Sequence, residues 1–415
     1  MKQIVIVGGG FGGVSCAKEL LKKIKRKNIN AKVTLISEHN YFLFTPMLHE
    51  VATGGLSREN IIVPINTIFK NPSFIFVKEK VREIDTKQKQ VICSSCCIAY
   101  DVLILATGSR AHFFSIPGAE EYTVPLRTLQ NAHQIRNKVI AQLEKAVLLE
   151  KNEKRKKELT FAIIGAGPTG VELAGELSEF IDAFVKSHQG KIEKKEITIL
   201  LVHRGKEILD MLPAYYSAEC RKRLEKLGVT LALQSEVTKV EREKITLKDG
   251  TKKQAALIFW TAGFAANTIP IDKKHYNSYE INMQGNILIA EKKEKLKNIF
   301  ALGDCSTFIV NGIKAPMLAQ VAVKQAPIIA HNALDNLGFG KQQKEYVFSL
   351  DGFLISVGQY FAVAGIKDVY FSGFFSWWLW RTIYLTKLYG WKNKIRVALD
   401  WTLNFFYPRD TSEVE

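Results

Sequence analysis

Two segments of the chain share one pattern, in which a short apolar run is followed by a glycine-rich turn and then by apolar residues at helical spacing. The run Phe161–Ile164 is typical of a buried parallel strand, and residues 2–7 repeat it near the start of the chain. The glycines that follow the two runs are Gly165, Gly167 and Gly170, and Gly8, Gly10 and Gly13. In this G-x-G-x-x-G spacing the first glycine allows a tight turn, the second lets a pyrophosphate approach the backbone, and the third lets helix and strand pack closely. The two copies predict two dinucleotides bound by one chain.

The strand after each predicted helix ends in a different kind of residue. Residues 31–37 predict the first of these strands, and Glu38 follows it, where a carboxylate can accept hydrogen bonds from an adenosine ribose. A solvated loop glutamate is the alternative. Residues 196–202 predict the corresponding second strand, which ends in His203 and Arg204. Arg204 can accommodate a 2′-phosphate, so NADH and NADPH both stay open, as does the alternative that both side chains face solvent.

Three further apolar strands run into small residues, which bring a backbone close to a bound cofactor. They lie within residues 100–110, 257–263 and 298–305. The small residues are Ala106, Thr107 and Gly108, then Gly263, and then Gly303. We expect Asp304 to accept a hydrogen bond from a ribityl hydroxyl of a flavin. A helix-capping aspartate is the alternative.

Residues 40–57 are apolar and contain glycine, but they follow no clean period. We expect this segment to lie along a bound cofactor, with Thr45 near a flavin ring. An ordinary buried loop is equally consistent with the spacing. Residues 129–157 have helical spacing and end in a charge run, residues 151–157, which we interpret as a solvated linker.

Composition narrows the class of protein. The chain has 415 residues, enough for two or three domains, and carries a net charge of +17 without any recognisable nucleic-acid-binding module, so we expect no nucleic-acid partner. Its six cysteines form no framework typical of secreted proteins, which favours a cytosol-facing compartment. Cys93 and Cys96 have C-x-x-C spacing, but no second pair could complete a zinc site, so we interpret them as surface hairpin cysteines and expect no metal.

The tail, residues 341–415, differs from the rest of the chain. Between Phe371 and Tyr407 it is rich in aromatic residues and has five basic residues and a single acid, Asp400. The apolar residues that share one helical face are Ile395, Ala398, Leu399, Leu403 and Phe406. Arg396 lies four residues before Asp400 on another face and is placed to pair with it. Without a run of 18 apolar residues, this composition favours helices lying in a membrane interface; a helical cap or a dimer interface is the alternative.

Together these residues resemble the type II NADH:quinone oxidoreductases, which are single-chain, non-pumping respiratory flavoproteins. The motifs that carry the resemblance are GGGFGG at 8–13, YFLFTPMLHEVATG at 41–54, LATG at 105–108, GAGPTGVELAGEL at 165–177, LIFWTAG at 257–263, LGDCS at 302–306, PMLAQVA at 316–322, WRTIYLTKLYG at 380–390 and RVALDW at 396–401. The resemblance implies an α/β fold with two Rossmann-like nucleotide-binding domains, similar to glutathione reductase, and C-terminal amphipathic helices for membrane attachment. It implies an FAD domain of residues 1–115 and 285–340, an NAD(P)H domain of residues 116–284, and a membrane-associating region of residues 341–415.

The resemblance also implies residue roles, a location and partners. Glu172 corresponds to an acidic residue near the flavin, where nicotinamide and quinone meet; a helix-start glutamate is the alternative. Ala319 and Gln320 match an A-Q pair at the flavin and quinone pocket, whereas Lys324 stands where the family has a glutamine that contacts quinone. A lysine can still donate a hydrogen bond to a quinone carbonyl. The enzyme would sit as a peripheral protein on the phospholipid of the cytoplasmic face of the cell membrane, with a homodimer possible.

Three other functions are open on the same architecture. A sulfide:quinone oxidoreductase needs two cysteines flanking the flavin, but no cysteine follows Cys305. A disulfide reductase needs a cysteine pair next to the flavin, and residues 38–60 contain no cysteine. A non-catalytic flavin-binding membrane protein would bind FAD without being reduced by NADH.

Overall fold

The computed structural model describes residues 1–188, 190–289, 294–310, 312–349, 351–366 and 369–412. The chain forms two compact units. The first comprises Met1–Leu43, Ile62–Arg110 and Phe264–Leu350, and the second comprises Phe44–Ile61, Ala111–Gly263 and Asp351–Glu415. This division differs from the expected domains, because residues 44–61 and most of the tail fall in the second unit and residues 264–284 fall in the first. The assignment of one cofactor to each domain stays a prediction.

Both units contain α-helices and β-strands. The α-helices are α1 (Phe11–Lys27), α2 (Leu48–Ala52), α3 (Ile65–Ile68), α4 (Ala119–Tyr122), α5 (Leu129–Val147), α6 (Glu153–Glu158), α7 (Pro168–Ser187), α8 (Ala214–Lys226), α9 (Ala319–Asn336), α10 (Phe374–Lys387) and α11 (Trp391–Phe406). The strands are β1 (Lys2–Val7), β2 (Ala31–Ser37), β3 (Tyr41–Leu43), β4 (Ile62–Pro64), β5 (Phe74–Lys78), β6 (Val81–Asp85), β7 (Gln90–Cys93), β8 (Cys97–Ala99), β9 (Val102–Leu105), β10 (Ser109–Ala111), β11 (Val124–Pro125), β12 (Thr160–Ile164), β13 (Thr198–Val202), β14 (Val229–Ala232), β15 (Val237–Glu241), β16 (Lys244–Leu247), β17 (Lys252–Gln254), β18 (Leu257–Trp260), β19 (Phe264–Ala266), β20 (Tyr279–Glu280), β21 (Asn286–Ile289), β22 (Glu294–Ala301), β23 (Ser306–Thr307), β24 (Ile309–Val310), β25 (Ile313–Lys314), β26 (Phe353–Ser356), β27 (Ala362–Ile366) and β28 (Val369–Gly373).

The first unit is built on a six-stranded sheet with the order β21-β22-β9-β1-β2-β5. All neighbours from β22 to β5 are parallel, and only β21 runs antiparallel to β22. Ile4, Val5 and Ile6 of β1 are fully buried, as expected for a strand covered on both faces. α1 connects β1 to β2 and packs against α9. The predicted strand–glycine turn–helix–strand unit is confirmed here, including the bounds of its second strand.

The second unit contains a parallel five-stranded sheet with the order β11-β18-β12-β13-β14. α7 follows the second glycine turn, and twelve of its twenty residues are buried. This is the second Rossmann-like unit that the sequence predicted. The antiparallel hairpins β15-β16-β17 and β26-β27-β28 complete the sheets of the unit.

Six of the seven residues of the charge run at 151–157 are exposed, as predicted, but the run is not an irregular linker. Most of it forms α6, and Asn152 caps the start of this helix, since its Oδ1 accepts hydrogen bonds from two backbone N–H groups of the helix. Arg155 is only 4% exposed, and its Nε lies 2.9 Å from Oε2 of Glu196. The charge run itself does not show that Arg155 pairs with Glu196, which lies elsewhere in the chain. The burial of Arg155 could therefore not be predicted from the pattern.

The C-x-x-C residues lie in the hairpin of β7 and β8, as predicted, but the expectation that both are at the surface is wrong for Cys93. β7 ends at Cys93, whose backbone N–H donates to the oxygen of Cys96 at 2.8 Å. Cys93 is buried, and burial raises the pKa of its thiol to about 12, whereas Cys96 is exposed. Such a thiol is a poor nucleophile at neutral pH.

The tail ends in two helices with opposite faces of different character. On α11, Val397 and Trp401 are buried, whereas the exposed apolar residues are Ile395 (50% exposed), Leu399 (55%), Leu403 (52%) and Phe406 (77%). Asp400 does not use Arg396 as its partner, because its Oδ2 accepts hydrogen bonds from Ser57 N and Asn60 Nδ2, at 3.1 and 2.6 Å. In the described part of the chain, no helix combines the length and the apolar character needed to cross a membrane.

Candidate functional site

The first glycine of each predicted loop adopts a backbone conformation that other residues avoid. Gly8 has φ +116° and Gly165 has φ +105°. A Cβ added at Gly8 would lie 2.1 Å from the backbone oxygen of Ala106, and one added at Gly165 would lie 2.5 Å from Cα of Ala262. Both contacts are shorter than any real Cβ contact, and both neighbours are backbone atoms that cannot move aside. Both turns therefore require glycine.

The second and third glycines have different surroundings, and the difference is the same in both loops. A Cβ at Gly10 or Gly167 would meet no atom within 4 Å, so each loop leaves open space at this position. A Cβ at Gly13 or Gly170 would lie 1.9 Å from the backbone oxygen of the first glycine of its own loop. Gly10 and Gly167 also come directly before α1 and α7, and neither helix has a side-chain cap at this end. Open space in front of uncapped N–H groups fits a pyrophosphate in both loops.

The predicted cofactor residues of the first unit come together at the carboxyl edge of its sheet. Parallel pairing places the ends of β1, β9 and β22 level, since Val7 pairs with Leu105 and Leu105 with Ala301. The residues that follow these strand ends are Gly8, then Ala106, Thr107 and Gly108, and then Gly303 and Asp304. Glu38 follows β2 at the same edge and is exposed. Its proposed contact with a ribose stays a prediction.

Two side-chain hydrogen bonds fix the turn that follows β22. Ser109 Oγ donates to Oδ2 of Asp304 at 2.7 Å, so Asp304 already has one partner within the protein. Oε1 of Gln325 accepts a hydrogen bond from the backbone N–H of Gly303 at 2.7 Å. Gln325 is only 2% exposed and was not predicted as a site residue. Its amide identity alone did not distinguish it from the other polar residues of α9.

The A-Q pair opens α9, which also carries Lys324. Ala319 and Gln320 are its first two residues, and Leu318 precedes them without providing a side-chain cap. Nζ of Lys324 donates to the backbone oxygen and to Oγ of Ser349, at 3.1 and 3.2 Å. The ammonium group is thus held by the segment that follows α9. The roles of Gln320 and Lys324 towards a quinone stay predictions.

The second unit brings its predicted residues together in the same manner. Ile164 pairs with both Val202 and Trp260, so the second glycine loop, His203 and Gly263 lie at one edge of the sheet. His203 Nδ1 accepts a hydrogen bond from Ala166 N at 3.4 Å, and Arg204 is exposed. Thr45 also belongs to this unit, in a short 3₁₀ helix, Thr45–Met47, and is half-buried.

Glu172 lies in the second turn of α7, against the histidine of α2. Nδ1 of His49 is 3.6 Å from Oε2 of Glu172, and their side chains are 3% and 13% exposed. Burial lowers the pKa of His49 to about 4. Burial also raises the pKa of Glu172 well above its usual range, and the carboxylates of Glu176 and Glu50 raise it further. At neutral pH the imidazole is therefore neutral, and burial shifts the Glu172 carboxyl towards its protonated form.

Glu50, next to His49 on α2, is a second buried carboxyl that sequence reasoning missed. It is 5% exposed, and Trp401 Nε1 of α11 donates a hydrogen bond to its Oε2 at 2.8 Å. Burial, together with the nearby Glu176 carboxylate, raises the pKa of Glu50 to about 7, although the positive charge of Arg381 opposes the shift. This group titrates in the physiological range.

Two arginines from the tail complete this buried cluster. Arg409 forms an ion pair with Glu176 at 2.7 Å, with both side chains nearly buried, and its Nη1 also donates to Thr53 Oγ1. The guanidinium of Arg381 lies 3.8 Å from the ring centroid of Trp377, and burial lowers its pKa to about 10. The spacing of the α7 glutamates on one helical face was a signal that could have revealed the acidic side of the cluster. No sequence signal linked the arginines to it.

Two family models match successive parts of the chain. Residues 2–326 match the pyridine nucleotide-disulphide oxidoreductase family, and residues 351–410 match the NDH2 C-terminal domain. The solved structure of NDH2 from Plasmodium falciparum in complex with NADH superposes with a TM-score of 0.88 at 21% identity, covering 99% of both chains. At that identity the likeness concerns the fold.

Relatives of similar length agree with these matches. The type II NADH:quinone oxidoreductase of Mycobacterium tuberculosis is 31% identical, over 98% of this chain and 89% of the relative. An internal alternative NAD(P)H-ubiquinone oxidoreductase of Arabidopsis thaliana mitochondria is 28% identical, over 99% and 86%. The full-length match, with both glycine loops and the C-terminal domain included, shows that this chain belongs to the type II NADH:quinone oxidoreductases of the pyridine nucleotide-disulphide oxidoreductase family.

Proposed function

We propose that this chain oxidises NADH and passes two electrons through FAD to a membrane quinone, without pumping protons. The observation that carries the proposal is the pair of glycine loops with matching geometry, each with open space at its second glycine only. One such loop serves many nucleotide-binding proteins, whereas two in one chain suit a resident flavin and an exchanging nicotinamide. The family of the chain supports this activity.

FAD would be held by the first loop and the nicotinamide dinucleotide by the second. Gly10 and Gly167 give the pyrophosphates access to the N–H groups of α1 and α7. Glu38 would accept a hydrogen bond from the adenosine ribose of FAD. When bound, FAD supplies the redox chemistry, accepting a hydride and releasing electrons in pairs. The protein provides position, electrostatics and protons.

Glu172 would provide a proton for quinone reduction. The reaction NADH + H⁺ + Q → NAD⁺ + QH₂ takes one proton from the surroundings for each turnover. A buried carboxyl with a raised pKa holds such a proton at neutral pH and can release it when negative charge develops nearby. The neutral ring of His49 packs beside it without contributing a fixed charge.

Gln320, together with Lys324, would orient the quinone next to Ala319. The amide of Gln320 and the ammonium of Lys324 can both donate to a quinone carbonyl. Lys324 would first have to exchange one of its hydrogen bonds with Ser349 for the quinone. A lysine at this position adds a positive charge that the usual glutamine lacks, which favours acceptors that become negatively charged during reduction.

The tail helices would attach the enzyme to phospholipid at the cytoplasmic face of the cell membrane. The exposed residues of α10 and α11 include Phe374, Phe375, Trp378, Trp391 and the apolar face of α11, with 47–77% of each large apolar side chain accessible. Basic residues Lys387, Lys392, Lys394 and Arg396 lie on the same two helices or at their junction. Aromatic and basic residues together favour the boundary between lipid headgroups and acyl chains. A homodimer is a further possibility that the family suggests.

Sulfide chemistry has less support. Cys305 is the last cysteine of the chain, and its Sγ is buried and donates to backbone oxygens of Leu105 and Leu302. Burial raises the pKa of this thiol, which disfavours the nucleophilic thiolate that a sulfur carrier needs.

The test is quinone-dependent NADH oxidation by the purified protein on lipid vesicles. We expect FAD to copurify, NADH to bleach its absorbance, and added quinone to restore it. A protein that purifies without flavin contradicts the proposal. Bound flavin that NADH does not bleach would instead favour a non-catalytic flavin protein.

A further inference from the structure

A pocket of about 330 Å³ lies where β13 and β14 end. Charged side chains of both signs line it: Arg204 and Lys248, and Glu236 and Asp249. Its volume is at the lower end of the range for pockets that hold small molecules, which suits part of a dinucleotide rather than a whole one. All its lining residues belong to the second unit.

Backbone hydrogen bonds join this pocket to the second glycine loop. Ser235 N donates to the oxygen of His203 at 2.8 Å, and Gln234 N donates to the oxygen of Gly205 at 2.9 Å. His203 in turn accepts from Ala166 of the glycine loop. The pocket therefore begins at the end of the second strand of a Rossmann unit, beside the pyrophosphate loop. In such units the adenosine ribose of the dinucleotide lies there.

The carboxylate that usually follows this strand is missing, but the pocket contains one from another segment. His203 and Arg204 stand at the strand end, whereas Glu236 comes from the turn between β14 and β15. Lys248 fixes Glu236 twice, since its N–H donates to the backbone oxygen and its Nζ donates to Oε2, both at 2.8 Å. The hydrogen bond from Lys248 lowers the pKa of Glu236, and the charge of Arg204 contributes, so the carboxylate is ionised at neutral pH.

We propose that Glu236 makes the enzyme select NADH over NADPH, by accepting a hydrogen bond from the adenosine ribose and repelling a 2′-phosphate. This inference rests on the proposed function, since it takes a nicotinamide dinucleotide as the reductant. Arg204 alone would attract a 2′-phosphate, and the negative charge of Glu236 in the same pocket opposes that attraction. With glutamine in place of Glu236, Arg204 and Lys248 would both be available to a phosphate.

The experiment compares the FAD-loaded, full-length wild type with E236Q and with E236Q/R204A. We expect E236Q to raise the ratio of kcat/KM for NADPH to that for NADH by about tenfold or more. Calorimetry gives a readout without turnover: adenosine 2′,5′-bisphosphate should gain about tenfold in affinity relative to 5′-AMP, which is about 1.4 kcal/mol. Adding R204A should reverse both gains, because Arg204 supplies the attraction.

E241Q is the matched control. Glu241 is a nearby surface glutamate that pairs with Lys239 and Lys244, at 3.2 and 3.1 Å, outside the pocket. It should leave the cofactor ratio and the affinity for the bisphosphate at wild-type values. If E236Q oxidises NADH but shows an unchanged ratio and an unchanged affinity for the bisphosphate, the role of Glu236 is wrong while the proposed function stands. If the wild type oxidises neither dinucleotide, the proposed function is wrong, and calorimetry still decides whether Glu236 opposes a 2′-phosphate.

Discussion

Nδ1 of His49 lies 3.6 Å from Oε2 of Glu172, yet the two groups do not form an ordinary ion pair. Burial lowers the pKa of the histidine to about 4 and raises the pKa of the glutamate well above its usual range, so both groups are shifted towards their neutral forms. The distance between these two atoms exceeds the length of a hydrogen bond. The charged pair in the surrounding cluster is formed by Glu176 and Arg409. Burial, together with the carboxylates of Glu176 and Glu50, favours a proton on Glu172.

Replacing Glu172 by glutamine should slow quinone reduction by about 100-fold while FAD stays bound, because glutamine cannot release a proton. The measurement is steady-state NADH:quinone turnover from pH 5.5 to 9, with flavin content determined for each preparation. E179Q is the control, since Glu179 lies on the same helix and pairs with Arg223 at 3.3 Å. Unchanged turnover in E172Q would remove Glu172 from the mechanism.

Glu50 should make the protein less stable as pH rises. Its pKa is raised from 4.5 to about 7 in the fold, so the native state binds more protons than the unfolded state between these values. The contribution of Glu50 to the free energy of unfolding is therefore complete below about pH 4.5. It falls by roughly 3 kcal/mol as the pH rises to about 7. His49, whose pKa is lowered to about 4, contributes the opposite slope up to about pH 6.5, which hides the effect in the wild type.

The variant E50Q isolates the pH-dependent contribution of Glu50 to stability, because glutamine can still accept the hydrogen bond from Trp401 but cannot ionise. The Tm of E50Q minus that of the wild type should be larger at pH 8 than at pH 5. Scanning calorimetry at both values, with FAD bound, provides the comparison. A difference that does not change with pH would show that Glu50 titrates normally.

Breaking the ion pair between Arg409 and Glu176 should destabilise the protein strongly. Both side chains are nearly buried, so R409M leaves a buried carboxylate without its partner, at a cost of about 3–5 kcal/mol. The double variant R409M/E176Q should recover most of the loss, because no unpaired charge then remains. The Tm values of R409M, E176Q, the double variant and the wild type form a double-mutant cycle. Equal losses of Tm in R409M and in the double variant would contradict this prediction.

The apolar face of α11 should control membrane binding. Leu403 is 52% exposed, and L403E would place a charge where acyl chains are expected, so vesicle binding in a flotation assay should fall by about tenfold. L148E is the matched control, since Leu148 is 86% exposed at the end of α5, on another part of the surface. Full vesicle binding by L403E would exclude this face as the anchor.

A point substitution is needed here because deleting the tail would not isolate membrane binding. Residues from Gly373 onward include Trp401 and Arg409, which are the partners of Glu50 and Glu176 in the interior of the second unit. Their loss would leave buried carboxyls unpaired and would unfold the protein for reasons unrelated to lipid.

The sequence by itself determined the two Rossmann-like units, because glycine spacing and short apolar runs report local backbone requirements. The bounds of β2, the need for glycine at Gly8 and Gly165, and the apolar face of α11 were all readable from the order of residues. Each of these features depends on neighbours within a few positions of the chain.

Only the tertiary structure decided which charges meet. Arg155 is buried against Glu196, and Asp400 accepts a hydrogen bond from Asn60 instead of pairing with Arg396. Glu50, Glu176 and Arg409 come together from distant segments of the chain. The tertiary structure also placed Glu236 at the end of β13, where the sequence has no acid. Charge and pKa depend on burial and on partners brought together by folding, and neither is encoded in local spacing.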